Sequence, residues 1–220
     1  MELPFALVIF GALVLVSLLT ADGRWSSLFS ITKPTTTLSL LLVTGLPSDG
    51  RFGVLVVGAL LLSALGDTAL LHEGRGFFPA GSFLFLLAHL GYTGAFLLGG
   101  GAGPLVSPAL AGLGVVTLSS IWLMRKIWPG VPSSLRFPVG LYGVTITVMV
   151  ASAYVMLAGP WPDRITVSIL AGAVSFYLSD AMLAWSLFRH ALPNQQTLNL
   201  TFYWVGQLGI ALGARWVSEG

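Results

Sequence analysis

Two carboxylates stand where the sequence has almost no other charge. Of its eight acidic residues, Glu2, Asp22, Asp49, Glu73, Asp163 and Glu219 fall in tails or between apolar runs, whereas Asp67 and Asp180 lie inside them. A carboxylate in hydrocarbon is costly unless it faces a bundle interior and finds partners there, which makes an intramembrane acid a functional candidate by default. Two carboxyl groups in a partly dehydrated site can divide into an acid and a base. That pairing suits acid-catalysed bond cleavage or proton-coupled transport. As purely structural groups the two acids would be interhelical hydrogen-bond partners, a task that a neutral Asn or Ser performs more cheaply.

Other polar side chains fall at similar depth. At 1.5 Å per residue, Asp67 lies roughly 6 Å and Asp180 roughly 12 Å inside the ends of their helices. Tyr203 and Gln207, roughly 7 and 14 Å into the last helix, are four apart and share a face. His89 and Tyr92, three apart, share a face near the middle of the fourth. Lys33 is expected to start the second helix on that same side of the membrane. These groups converge on a polar cavity in one leaflet half, expected to open toward the cytoplasm. His72 and His190 sit at helix ends beside Arg residues and are read as facing water.

Several other chemistries find no support. There is no cysteine, which removes thiolate nucleophiles and Cys metal sites. Three scattered histidines without a His-Glu-x-x-His pair make a zinc shell hard to assemble, so no metal is expected. No Gly-x-Ser-x-Gly elbow and no Gly-rich phosphate loop occurs. The last helix lacks the lysine of a retinal pigment, and Asp67 follows Ala64-Leu65-Gly66 rather than the Gly-x-Gly of an intramembrane aspartyl protease. Lys and Arg exceed Asp and Glu by only two, too little for a nucleic-acid surface.

The elements that must position these residues are membrane helices. Charged residues make up 8% of the 220, hydrophobic ones 55%, and the mean hydropathy is +0.90, which excludes an ordinary water-soluble globule. Apolar runs predict an all-α polytopic bundle of eight transmembrane helices at about 3–19, 31–46, 52–71, 77–98, 104–124, 138–158, 165–188 and 198–217. Together they form one transmembrane domain over 1–220. The second run is short from Pro34, and Ile31 and Thr32 extend it. Ten-residue alternation, the mark of a β-barrel, is missing. The first run has Glu2 in place of a basic flank and no clear small-residue cleavage site, and is read as a retained helix.

Lys and Arg bias sets the expected orientation. Arg24, Lys33, Arg75, Arg125, Lys126, Arg136 and Arg189 follow the odd-numbered helices, against Arg51, Arg164 and Arg215 on the other side. Odd-numbered loops are therefore expected in the cytoplasm of a bacterial inner membrane protein, with both termini outside. Leu65-Gly66-Asp67-Thr68-Ala69-Leu70 parallels Leu178-Ser179-Asp180-Ala181-Met182-Leu183 four helices later, the mark of a possible 4+4 parallel repeat.

Five motifs in order resemble one family. Lys33-Pro34, Gly66-Asp67-Thr68-Ala69-Leu70-Leu71, Ala88-His89-Leu90-Gly91-Tyr92, Gly172 through Ser179-Asp180-Ala181-Met182, and Tyr203-Trp204-Val205-Gly206-Gln207 are similar to the motifs of the YhhN-like lysoplasmalogenases. The resemblance covers about residues 30 to 213. It departs at Ala88, where a Gly commonly precedes the His, and at Phe202-Tyr203-Trp204 in place of Thr-Tyr-Tyr. It implies an eight-helix membrane hydrolase that cleaves the vinyl ether bond of lysoplasmalogens, giving a fatty aldehyde and glycerophospho-choline or -ethanolamine, with no metal or cofactor.

Carried over by position, Asp67 and Asp180 are the catalytic acids, and Lys33, His89, Tyr92, Tyr203 and Gln207 are the substrate-binding residues. One Asp would protonate the vinyl ether carbon while the other, ionised, stabilises the oxocarbenium-like cation and directs water. Lys33, with Arg75 or Arg136, would hold the lipid phosphate. The partners expected are a lysophospholipid substrate and membrane lipid, with no nucleic acid and no obligate protein partner. The rival reading is a proton-coupled transporter or lipid-binding membrane protein using the same acids.

Overall fold

In lipid every backbone N–H and C=O must be satisfied within the protein, and runs this apolar achieve that as helices. The computed structural model describes residues 2–21, 26–45, 50–72, 77–100 and 107–219. Among them are eight α-helices and no strand: α1 Leu3–Thr20, α2 Ser26–Thr44, α3 Arg51–Leu70, α4 Phe77–Gly99, α5 Ser107–Ile127, α6 Arg136–Val155, α7 Asp163–Phe188 and α8 Gln195–Glu219. Short 3-10 turns at Trp128–Gly130 and Ser133–Leu135 join α5 to α6. Six helices, all but α2 and α8, are long and apolar enough to cross a membrane by themselves.

Polar side chains share the interior with an apolar core, and large apolar ones line the outside. Thr36, Thr37, Asp67, His89 and Gln207 are buried, while Phe5, Val8, Val54, Phe83, Leu118 and Phe137 point outward. Polar groups inside and hydrocarbon outside is the arrangement that a lipid solvent demands.

Packing closes six helices into a ring, in the order α2, α3, α4, α6, α7, α8 and back to α2. Helix α1 lies outside α2, tied by Ser17 Oγ to Thr36 Oγ1 at 3.1 Å, and α5 lies outside α6 and α7. Two hairpins, α3–α4 and α7–α8, make the closest contacts. Their closeness depends on glycine. A Cβ on Gly66 would stand 2.8 Å from the Phe85 ring, and one on Gly206 2.8 Å from the Phe176 backbone nitrogen.

Helix α2 corrects the expected boundary. Lys33 does not start it but lies in its interior, with Pro34 also inside. Proline removes a backbone donor and usually marks a helix edge. Here hydroxyls attend the nearby carbonyls: Ser30 donates to Ser26 O at 2.8 Å, Thr35 to Ile31 O at 2.7 Å and Thr36 to Thr32 O at 2.7 Å. Membrane helices tolerate proline with such help. Helix α5 also runs further than expected, so Arg125 and Lys126 occupy its last turn rather than a loop.

Candidate active site

Asp67 stands near the end of α3, one residue after the glycine that admits Phe85. Its carboxylate is fully buried and richly supplied. Lys33 Nζ of α2 lies 3.0 Å from Oδ1. Thr37, one turn further along α2, donates to Oδ2 at 2.6 Å, and Tyr203 of α8 donates to the same oxygen at 2.8 Å. The two hydroxyls are themselves 3.2 Å apart. The cation at Oδ1 and the two hydroxyl donors at Oδ2 offset the desolvation of this buried carboxylate.

Asp180 is differently placed. Its side chain is 14% exposed, against 1% for Asp67. Tyr142 of α6 donates to Oδ2 at 2.6 Å. His89 Nε2 of α4 lies 3.7 Å from that oxygen, beyond hydrogen-bond length. Both ring nitrogens of the buried His89 lack a hydrogen-bond partner. Beside Asp180, Ser179 Oγ donates to Asn199 O at 3.0 Å and Asn199 Nδ2 donates to Ser179 O at 2.7 Å, fastening α8 to α7 at this level.

An aromatic wall joins the two halves. The Tyr203 ring meets Phe176 edge-on at 5.3 Å, and Phe176 lies 4.8 Å from the His89 ring. Phe85 closes on both Phe176 and Tyr203. Phe176 thus touches a ring from each half, His89 beside Asp180 and Tyr203 on Asp67.

All seven residues singled out from the sequence thus reach the ring interior. Lys33 and Tyr203 touch Asp67, and His89 faces Asp180. Tyr92 and Gln207 pair with each other, the Tyr92 hydroxyl donating to Gln207 Oε1 at 2.5 Å, both fully buried. Arg136 starts α6 with its guanidinium 5.9 Å over the Trp128 ring. Arg75 lies outside the described residues. Among the described residues no group of acids and histidines could hold a metal ion.

Two members of the site are not among those residues: Thr37 and Tyr142. Thr37 follows Lys33 by four and so shares its helix face, a signal present in the sequence. Tyr142 offers only a phenol within an apolar run. A groove of about 220 Å³ lined by Trp122, Leu178, Ala181, Met182, Trp185 and Leu192 lies elsewhere. At 100° per residue, positions 178, 181, 182 and 185 form the face of α7 turned away from Asp180.

The profile of the YhhN family matches residues 28–214. Lysoplasmalogenase TMEM86B of Rattus norvegicus is 31% identical over 191 residues, 86% of this chain and 73% of that protein. Lysoplasmalogenase TMEM86A of Homo sapiens is 31% identical over 160 residues, 70% of this chain and 62% of that protein. A lysoplasmalogenase of Mycobacterium tuberculosis is 33% identical over 163 residues, 70% of this chain and 57% of its own length. The match therefore spans less than two thirds of the human and mycobacterial relatives. No solved structure matches the chain.

Proposed function

The chain belongs to the YhhN family, and from that premise we propose that it is a membrane-embedded lysoplasmalogenase that hydrolyses the vinyl ether of a lysoplasmalogen with Asp180 as acid and Asp67 as base. The observation that carries the assignment is the difference in their partners. Asp67 has a cation and two hydroxyl donors. Asp180 has one phenol and a histidine beyond bonding distance. The first set favours a carboxylate, and the second suits a carboxylic acid.

In the proposed cycle Asp180 gives its proton to the outer vinyl carbon, leaving an oxocarbenium-like cation on the carbon bound to the ether oxygen. Asp67 stabilises that cation and takes a proton from water as the water oxygen adds, giving a hemiacetal. The bond from that carbon to the glycerol oxygen then breaks. Asp180 recovers a proton from the hemiacetal hydroxyl, and Asp67 returns its own to the departing oxygen. Fatty aldehyde and glycerophospho-alcohol leave, and both acids are restored. The roles follow the paired-carboxylate logic of glycoside hydrolysis.

Lys33 carries three N–H donors and the ion pair uses one, leaving others for the lipid phosphate. Tyr92, Gln207 and His89 back the acids from the ring interior, and Phe85 and Phe176 face the alkenyl chain. The reading places α2 and α8 across the membrane with the other six helices. The positive bias sets the odd-numbered loops in the cytoplasm of a bacterial cell and both termini outside. The 4+4 repeat is supported by exchanged contacts. Asp67 of α3 is served by α2 and α8, and Asp180 of α7 by α6 and α4, the helices four positions away.

The test is fatty-aldehyde release from a lysoplasmalogen by detergent-purified protein, beside an ester lysophospholipid. Aldehyde from the ether alone is expected. Folded protein that releases none would leave transport or another lipid substrate as the reading.

A further inference from the structure

We infer that Tyr142 is the positioning residue for the proton donor, its hydroxyl holding Asp180 Oδ2 so that the transferable proton sits on Oδ1. The inference rests on the hydrolase reading above and extends it to a residue that the acid pair alone does not single out. Both close contacts of Asp180, the Tyr142 hydroxyl at 2.6 Å and His89 Nε2 at 3.7 Å, fall on Oδ2. The carbonyl oxygen of a carboxylic acid is its better hydrogen-bond acceptor, so a donor on Oδ2 favours the proton on Oδ1. The edge-on contact of the Tyr142 ring with His89, at 5.3 Å, fixes the phenol against a buried partner.

The two halves of the site explain why a phenol stands there. Helix α2 precedes α3 in the ring as α6 precedes α7. Each reaches the acid of the next helix, α2 with Lys33 and Thr37 and α6 with Tyr142. The other contact comes from Tyr203 of α8 for Asp67 and from His89 of α4 for Asp180. Where α2 brings both the Lys33 ammonium and the Thr37 hydroxyl to Asp67, α6 brings to Asp180 the Tyr142 phenol and no cation. Lysine brings a charge that holds a carboxylate. A phenol brings a directed donor without charge, which orients an acid and leaves it its proton.

The experiment combines infrared spectroscopy of the protonated carboxyl C=O stretch, assigned with Asp180→Asn, and kcat and KM for aldehyde release. Tyr142→Phe keeps the ring and removes the donor. Its kcat should fall about tenfold, the rate worth of one hydrogen bond, with KM held within about twofold. The C=O band should move to higher wavenumber as its hydrogen bond is lost. Tyr142→Lys should abolish the band and activity together by converting Asp180 to a carboxylate. Tyr177→Phe is the control, since among the described residues that hydroxyl bonds to Ser119 and Ser120, each at 3.1 Å, and to neither acid. It should alter neither readout.

Wild-type kcat and an unmoved band in Tyr142→Phe would overturn the positioning role while wild-type turnover upholds the hydrolase. An equal loss in Tyr177→Phe would overturn it too, by making the effect one of packing. No aldehyde from folded wild type would overturn the hydrolase reading and, with it, the need for a positioned donor.

Discussion

The two acids are the same residue type on equivalent ends of two helices, yet they live in different electrostatic surroundings. Asp67 sits among Lys33, Thr37 and Tyr203 with nothing exposed. Asp180 keeps a partly open side chain, a single phenol and a histidine with unbonded nitrogens. A buried ion pair is costly to break because the surviving charge is stranded, whereas a neutral hydrogen bond is cheap to lose. The half that holds charge is therefore the one that loss of a single partner destabilises more. In the proposed cycle the half free of a counter-charge is the one that hands over a proton.

The largest expected effects separate these duties. Asp180→Asn should lower aldehyde release by about 10²–10⁴-fold, the usual worth of a general acid or base. Its thermal stability should stay near wild type, because Tyr142 can donate to the amide oxygen as it does to the carboxyl. Asp67→Asn should lose activity comparably and also lose about 3–5 kcal/mol of stability, since Lys33 is left without its counter-charge. Denaturation in mixed micelles alongside the activity assay would measure both. Equal stability losses in the two variants would break the comparison.

The pair can then be removed whole. Lys33→Met combined with Asp67→Asn replaces a stranded cation by an apolar chain of similar length. It should regain most of the stability lost by Asp67→Asn, since deleting a whole buried pair is often nearly neutral. Activity should stay absent, because the base is gone. Recovered aldehyde release in the double variant would mean that Asp67 is there to neutralise Lys33 and takes no part in the chemistry.

Much of this was legible in the sequence, and the omissions have physical causes. The eight apolar runs return as eight helices among the described residues, and the two acids inside them both point into the ring. Helix α2 begins before Lys33-Pro34, which looks like a boundary, and its many hydroxyls dilute the hydropathy that would have marked its first turns. Thr37 shares its type with many threonines on the same helix. What distinguishes it is a carboxylate 30 positions away in sequence. Tyr142 is one phenol in an apolar run until its partner, 38 positions on, is placed beside it. The sequence leaves open which acid donates, because that depends on partners from α2, α6 and α8 that only the ring brings together.

The small residues before each acid offer a finer contrast. Gly66→Ala would drive a methyl to within 2.8 Å of the Phe85 ring, on the wall between the halves. Overpacking of this kind costs about 1–3 kcal/mol. Because Phe85 also contacts Tyr203, activity should fall with it. Gly58→Ala, with nothing within 4 Å of the added carbon, is the matched control and should be tolerated. If both alanines behaved alike, helix propensity rather than the Phe85 contact would explain the glycine.

Ser179 takes the equivalent place before Asp180 and does a different job. Its hydroxyl exchanges hydrogen bonds with Asn199, donating to the backbone oxygen and accepting from Nδ2 at 2.9 Å. Ser179→Ala keeps the side chain small and removes only those bonds. Hydrogen bonds between membrane helices average about 0.6 kcal/mol, because the separated helices also find partners. The melting midpoint should therefore drop slightly, and kcat should change little if α8 stays seated beside α7. Ser179→Gly tells size from bonding. It should cost more than alanine, because it loses the same bonds and adds backbone freedom within a helix. A glycine variant as stable as wild type would make Ser179 a second space-making position like Gly66, and the two halves would then differ in their charges alone.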